Sequence, residues 1–237
     1  MKERPILFSA PMVRALLDGR KTQTRRVVKP QPEAEHGGEP YWFVGGYRAW
    51  RARSCTDPIR SGSHNEIACP YGQPADRLWV RETFYAFGRW ETRFSAKKGR
   101  DEWHFVDMTL ESGKAYLYPA SDSQPQPMGG KRHKGGVTPT WWKRPAIFMP
   151  SAASRITLEI TSVRVEHLQD ISEEDALAEG IVPLHEGFGL PDGSHFHASG
   201  LGESYLSLWD AVNGDGSAWN NPWVWVVEFK RVEGAKP

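Results

Sequence analysis

The stretch "SRITLEITSVRVEHL", residues 154–168, is the longest strand signal in the chain. Ile156, Leu158 and Ile160 alternate with polar residues, so one face of the strand is apolar. Val163 and Val165 resume the alternation one position later. That slip predicts a β-bulge at Thr161 and Ser162, where one extra residue realigns the two runs.

Three more segments share the two-residue period. "ADRLWVRET" (75–83) sets Leu78 and Val80 against Arg77, Trp79 and Arg81. "NPWVWVVEFKRV" (221–232) reads as the last strand, and residues 23–28 as an early one that "KPQP" ends, because proline cannot continue a ladder. "PILFS" (5–9) opens the chain as a short strand. Pro11 then suits the first turn of a helix, with Met12, Ala15 and Leu16 on one face and Gly19 as its stop. "DISEEDALAEGI" (170–181) predicts a short helix with Ser172 as N-cap, Asp175 at N3 and Gly180 as stop. "GESYLSLWDAVNG" (202–214) predicts a second amphipathic helix with Tyr205, Leu208, Trp209 and Val212 on one face.

The middle is less regular. "YWFVGGYRAWRAR" predicts a hairpin about Gly45 and Gly46. "WHFVD" and "AYLYP" are candidate strands, and residues 121–139 form a loop with a solvated basic cluster at 131–134. The expectation is an α+β, strand-dominated fold: a closed or partly closed β-barrel with short flanking helices. Strands 23–28, 77–83, 155–166 and 223–232 are neighbours in it. The chain reads as one domain, 1–237, with insertions at about 33–70 and 84–144.

The 237 residues are 39% apolar, enough for a core, and no run reaches membrane-span length. No secretory signal is recognisable, and with two cysteines the expected compartment is the cytoplasm. Net charge is +1, yet residues 1–60 carry +6, 61–150 carry +4 and 151–237 carry −9. A basic N-terminal half suits a phosphate backbone, and equally suits an acidic partner half within the fold. Eleven Trp is high for this length; such rings stack on unpaired bases or fill cores.

Cys55, His64 and Cys69 lack a C-x-x-C pair and a fourth ligand, so no zinc site is predicted. His195 and His197 read as loop histidines facing solvent. Phosphate-loop, dinucleotide and G-x-S-x-G patterns are absent, and no cofactor or metal is expected. What remains is "GRKTQTRRV" (19–27), four cations and two threonines just past a helix end, and the acidic helix ending at Glu179.

Here the chain resembles a known family. "LLDGRKTQTRR" (16–26) looks like the G-x-K-T-x-T-x-R signature of the ASCH domain, a relative of the PUA RNA-binding fold. "PADRLWVRE" (74–82) resembles the family's next strand, with Ala75 where a glycine is usual. "ITLEITSVRVEHLQDISEEDALAEGI" (156–181) and "NPWVWVVEFKRV" resemble the later strands and acidic helix. The resemblance covers roughly residues 5–30, 70–83 and 145–232 and is greatest to the longer phage and prophage members.

The resemblance implies a PUA-like barrel that binds a modified nucleoside or nucleic acid, RNA before DNA. One bacterial branch is similar to amidohydrolases of 4-acetylcytidine. By that likeness Thr24 is the nucleophile, Lys21 its base, and Glu179 the group that holds the lysine or shuttles a proton. Arg20, Thr22, Arg25, Arg26 and Trp79 are the implied substrate-binding residues. Two alternatives stay open: a binding module without catalysis, and a ribonuclease. In a regular strand residues 21 and 24 face opposite ways, so the enzyme reading needs a turn or bulge between them.

Overall fold

The structure, a computed structural model, describes residues 1–32, 34–36, 39–44, 48–52, 65–120 and 138–232, and from 34 to 67 the strand backbone alone. In chain order the elements are β1 (Glu3–Leu7), α1 (Ala10–Leu17), β2 (Gln23–Val27), β3 (Ala34–His36), β4 (Glu39–Val44), β5 (Arg48–Ala52) and β6 (Asn65–Ile67). There follow β7 (Arg77–Arg81), β8 (Phe84–Ser95), β9 (Arg100–Asp107), β10 (Thr140–Arg144), β11 (Thr157–His167) and α2 (Glu173–Ala178). β12 (Val182–Leu184), β13 (Gly187–Gly189), β14 (Phe196–His197), α3 (Leu201–Asn213) and β15 (Trp223–Arg231) complete the chain. The fold is α+β and strand-dominated, and no helix among the described residues is long and apolar enough to cross a membrane.

The chain divides into two compact units, one of residues 1–6, 14–80 and 155–237, the other of residues 7–13 and 81–154. The first holds a five-stranded sheet in the order β1-β7-β11-β15-β2. The four expected neighbours therefore lie side by side. The register between β11 and β15 shifts between Ile160 and Ser162, leaving Thr161 as the bulge residue. Leu78 pairs with Leu158, Ile160 with Phe229, and Val163 with Val227, which puts these side chains on one face. All six are at most 4% exposed and form its apolar core.

The expected barrel is not formed. β1 and β2 stand at opposite edges of an open sheet. At the start of β2, the Thr22 N–H donates to the Ala178 carbonyl of α2 (2.8 Å), and the Thr22 carbonyl accepts from the Phe229 N–H of β15 (2.8 Å).

Local signals account for the helix ends. Gly19, at φ +73°, closes α1, and the N–H groups of both Arg20 and Lys21 donate to the Ala15 carbonyl (2.9 and 3.0 Å). In α2 the Ser172 hydroxyl accepts the Asp175 N–H (3.1 Å). At its other end Gly180 donates to Leu177 O and Ile181 to Ala176 O, a Schellman motif with Gly180 at φ +102°. A Cβ on Gly180 would meet the Cβ of Ala15 at 3.2 Å, so this glycine also lets α2 approach the end of α1. On α3, Tyr205 and Trp209 are buried as expected, but Val212 is 71% exposed. The buried stripe continues instead through Leu201 and Ser204, one turn nearer the helix start.

The first unit also holds the sheets β3-β4-β5-β6 and β12-β13-β14. β4 and β5 pair antiparallel from Val44 and Arg48 outward, the expected hairpin; Gly45 and Gly46 themselves lie outside the described residues. The second unit is built on the antiparallel sheet β10-β8-β9. Phe84, Ala86, Met149 and Ala153 form its core, with Phe105, Tyr116 and Tyr118 against them. "WHFVD" lies in β9 as read. "AYLYP" is not a strand: only Leu117 pairs, with Tyr85.

Candidate functional site

Lys21 precedes β2 by two residues, held by the turn that ends α1, and Glu179 is the C-cap of α2. Those two local signals bring together residues 158 positions apart. Lys21 Nζ donates to Glu179 Oε2 (2.5 Å) and to the Glu179 carbonyl oxygen (2.8 Å). Both side chains are almost fully buried, at 2% and 4% exposure. Burial pushes the Lys21 amine below its ordinary value, the Glu179 carboxylate opposes this, and the charges of Arg26 and Arg25 add to the lowering.

Arg25 is the second cation of the cluster. Its Nη1 lies 3.5 Å from Glu179 Oε1, and its Nη2 donates to Glu166 Oε1 (2.5 Å) and Asp175 Oδ2 (2.6 Å). The guanidinium is wholly buried and lies 5.8 Å from the centre of the Tyr205 ring. Burial and the nearby Glu179 charge hold the Tyr205 phenol well above its usual range, so it stays protonated. Arg164 joins the same carboxylates: Nη2 to Asp175 (2.7 Å), Nε to Glu166 (2.9 Å) and Nη1 to Glu228.

The ladder explains this grouping. Val226 opposes both Arg25 and Arg164, Val224 opposes Glu166, and Glu228 opposes Gln23. Gln23, Arg25, Arg164, Glu166 and Glu228 therefore share one face of the sheet, the one α2 covers. Gln23 Nε2 donates to the Asp175 carbonyl (3.0 Å) from that face. Thr24, opposite Val227, belongs to the other face, with the apolar core, and is 4% exposed.

So Lys21, Arg25 and Glu179 meet in one cluster, and Thr24 takes part in none of these bonds. Arg25 is enclosed by carboxylates rather than open to a phosphate. Arg20 bonds Asp18 (2.8 Å) and reaches the Gly180 carbonyl (3.5 Å) at the rim. Thr22 is exposed, Arg26 half-buried, and Trp79 half-buried on β7 opposite Thr157. Sequence reasoning missed Asp175, Glu166, Arg164 and Tyr205 as members. For the two strand residues a signal existed: "VRVE" puts Arg164 and Glu166 on the face opposite Val163 and Val165. Asp175 was read only as a capping residue, and its carboxylate does a second task.

His195 Nε2 donates to the Ser204 carbonyl (2.9 Å) and His197 Nδ1 to the Ser199 carbonyl (2.8 Å). Burial raises the Cys69 thiol to about 11, so it is a poor nucleophile at neutral pH. Cys55, His64 and the 131–134 cluster lie outside the described residues. Among the described residues no group of three or more His, Cys, Asp or Glu is arranged to hold a metal ion. Comparison of the chain with protein-family models, curated proteins and solved structures gives no match.

Proposed function

We propose that this chain is an ASCH-type protein that binds a nucleobase or nucleoside and hydrolyses an acyl amide on the exocyclic nitrogen of cytosine. The observation that carries the reading is the buried Lys21–Glu179 pair, 2.5 Å apart. A lysine works as a base only when neutral, and burial favours that form. A proton passing from Lys21 to Glu179 gives a neutral amine beside a neutral acid. For the reaction the Thr24 hydroxyl, which lies on the opposite face of β2, has to come within reach of that amine; the amine then takes its proton as the oxygen adds to the amide carbonyl, and the acid returns a proton to the leaving amine. Water completes the cycle, so that acyl amide and water become carboxylic acid and amine. The same three positions match the motif that suggests this chemistry in the sequence.

The second reading is a base-binding module without hydrolysis. It is favoured by the position of Thr24 on the apolar face of β2, outside the bonds that hold Lys21. One experiment separates the two: incubation with 4-acetylcytidine and with acylated cytosine in RNA and DNA, following release of cytosine chromatographically. The enzyme reading expects turnover that Lys21→Met and Thr24→Val abolish while Thr24→Ser keeps a part. Binding of cytidine with no release from any substrate selects the module. Absence of both binding and release overturns the proposal.

A further inference from the structure

The second unit carries a feature that the amide chemistry does not use. Paired register puts Trp90 opposite Phe105, Thr92 opposite Trp103, and Phe94 opposite Asp101, all on one face of β8 and β9. At its inner end this face is core. Farther out it opens: Phe94 is 70% exposed and Trp103 44%. Single exposed aromatics are ordinary; here two stand diagonal to one another on a strand pair, on the same face as Trp90 and Phe105, whose ring centres are 5.5 Å apart.

Arg144, at the end of β10, points across the same face. Its guanidinium lies 4.9 Å from the Trp90 ring centre, 4.4 Å from Phe105 and 4.9 Å from Phe148, itself 56% exposed. Three rings around one arginine fix its plane. It forms no ion pair with any described residue, in contrast to Arg25 and Arg164. Gly88 is needed for the arrangement: a Cβ there would fall 2.8 Å from the Phe105 ring and 2.1 Å from the Val106 carbonyl oxygen.

The surroundings are basic. Strands β8 to β10 and the β8–β9 turn, residues 84–107 and 140–144, hold seven Lys or Arg against four Asp or Glu. Three of the cations, Lys97, Lys98 and Arg100, lie at the turn next to Phe94, and Lys98 alone is tightly bridged, to Glu102 (2.6 Å).

We infer that this sheet face binds single-stranded nucleic acid, with unpaired bases stacked on Phe94 and Trp103 and a backbone phosphate held by Arg144. Flat rings standing free on a sheet match the faces of unpaired bases, and the caged arginine offers planar N–H donors to an anion. A duplex, with its bases already stacked, has nothing to offer the rings. The inference stands on the second unit alone and does not need the hydrolysis reading.

The test is fluorescence anisotropy of the full chain with labelled 20-nucleotide single strands of RNA and DNA, and with the matching duplexes, over a salt series. Single strands are expected to bind more tightly than duplex. Phe94→Ala and Trp103→Ala should each weaken binding roughly 5- to 150-fold, the range for one lost base stack. Both side chains are exposed enough for the variants to fold, and Phe196→Ala, an exposed ring of the first unit, should bind as wild type. Arg144→Gln should lower the slope of log affinity against log salt by about one. RNA and DNA arms tell which strand is preferred. Equal affinity for duplex, or unchanged affinity in the Phe94→Ala, Trp103→Ala double variant, overturns the inference. So does a dimer by light scattering that the double variant converts to monomer, which assigns the face to a second copy of the chain. Loss of turnover in Lys21→Met with strand affinity intact keeps this inference separate from the amide chemistry.

Discussion

Lys21 Nζ is held by Glu179 twice, at 2.5 Å from the carboxylate and 2.8 Å from the carbonyl of the same residue. The reverse is not true: Glu179 faces two cations, since Arg25 lies 3.5 Å from its other oxygen. The cluster is therefore lopsided, and its two ends should respond differently to mutation.

Removing Glu179 takes away the carboxylate that faces the buried Lys21, whereas removing Lys21 leaves Glu179 beside Arg25. Glu179→Leu is expected to cost roughly 3–5 kcal/mol, the range for removing one member of a buried ion pair. Lys21→Met should cost clearly less. In the double variant two apolar side chains fill the space, and much of the Glu179→Leu loss should return. Urea unfolding of the three variants measures this. Equal losses in the two single variants would show that Arg25 does not share the Glu179 charge.

The lowered Lys21 value carries a definite pH sign. Between its folded value and the ordinary 10.5, the unfolded chain binds more protons at this site than the folded one. Stability from Lys21 thus rises as pH rises through that window, and below it the folded state bears the cost of a buried ammonium. Titrating the Lys21 13Cε resonance should give a midpoint below 10.5. In Glu179→Gln the midpoint should drop further, because Glu179 is the group that raises it. A wild-type midpoint at or above 10.5 would refute this balance of burial against the Glu179 charge.

The sheet was legible because its residues repeat with period two and its bulge shifts that period by one. Both marks are local, and β11 shows them whatever lies beside it. The edges were not legible. Whether β1 meets β2 depends on which distant strands each one joins: β1 lies beside β7 and β2 beside β15, and no two-residue period marks that choice. The Lys21–Glu179 contact was reached through motif likeness, while Asp175 and Tyr205 carry no local mark of their place in the cluster. Ser172 three residues earlier explains Asp175 completely as a capping residue, and Tyr205 fits its helix stripe as a core residue.

Acid should unfold the first unit through identifiable carboxylates. Burial alone would raise Asp175, but hydrogen bonds and charges from Arg25 and Arg164 outweigh it and hold the group below its ordinary 3.8. Asp76 is also low, chiefly through the Lys2 N–H (2.7 Å), with Arg4 (2.9 Å) assisting against burial. For a lowered carboxylate the stabilisation is complete above the unfolded value and is lost as pH falls through the folded one. Thermal midpoints should therefore drop steeply below about pH 4. Asp76→Asn should lower the midpoint at neutral pH and flatten the acid fall. An unchanged acid slope in Asp76→Asn would remove Asp76 from the account.

Ala75 offers the opposite kind of change, a stabilising one. It stands at φ +71°, in the left-handed region, where the Cβ of a non-glycine residue crowds its own backbone. The position is held from both sides. Its N–H donates to the Ile160 carbonyl (2.9 Å), the Ile160 N–H donates to Asp76 O (2.9 Å), and the Asp76 N–H closes a turn on Gln73 O (2.9 Å). These bonds set the register in which Leu78 meets Leu158, so the chain cannot relax at residue 75 without slipping β7 against β11. A left-handed residue with a Cβ costs about 1–2 kcal/mol. Glycine removes that cost but gains roughly 0.5–1 kcal/mol of unfolded-state entropy. Ala75→Gly should therefore raise stability by a net of about 0.5–1 kcal/mol. Ala75→Val should lower it by more than that, because a branched Cβ crowds the same atoms. Urea midpoints at constant slope measure both. A loss of stability in Ala75→Gly would show that residue 75 adopts an ordinary backbone conformation and that the turn into β7 is built differently.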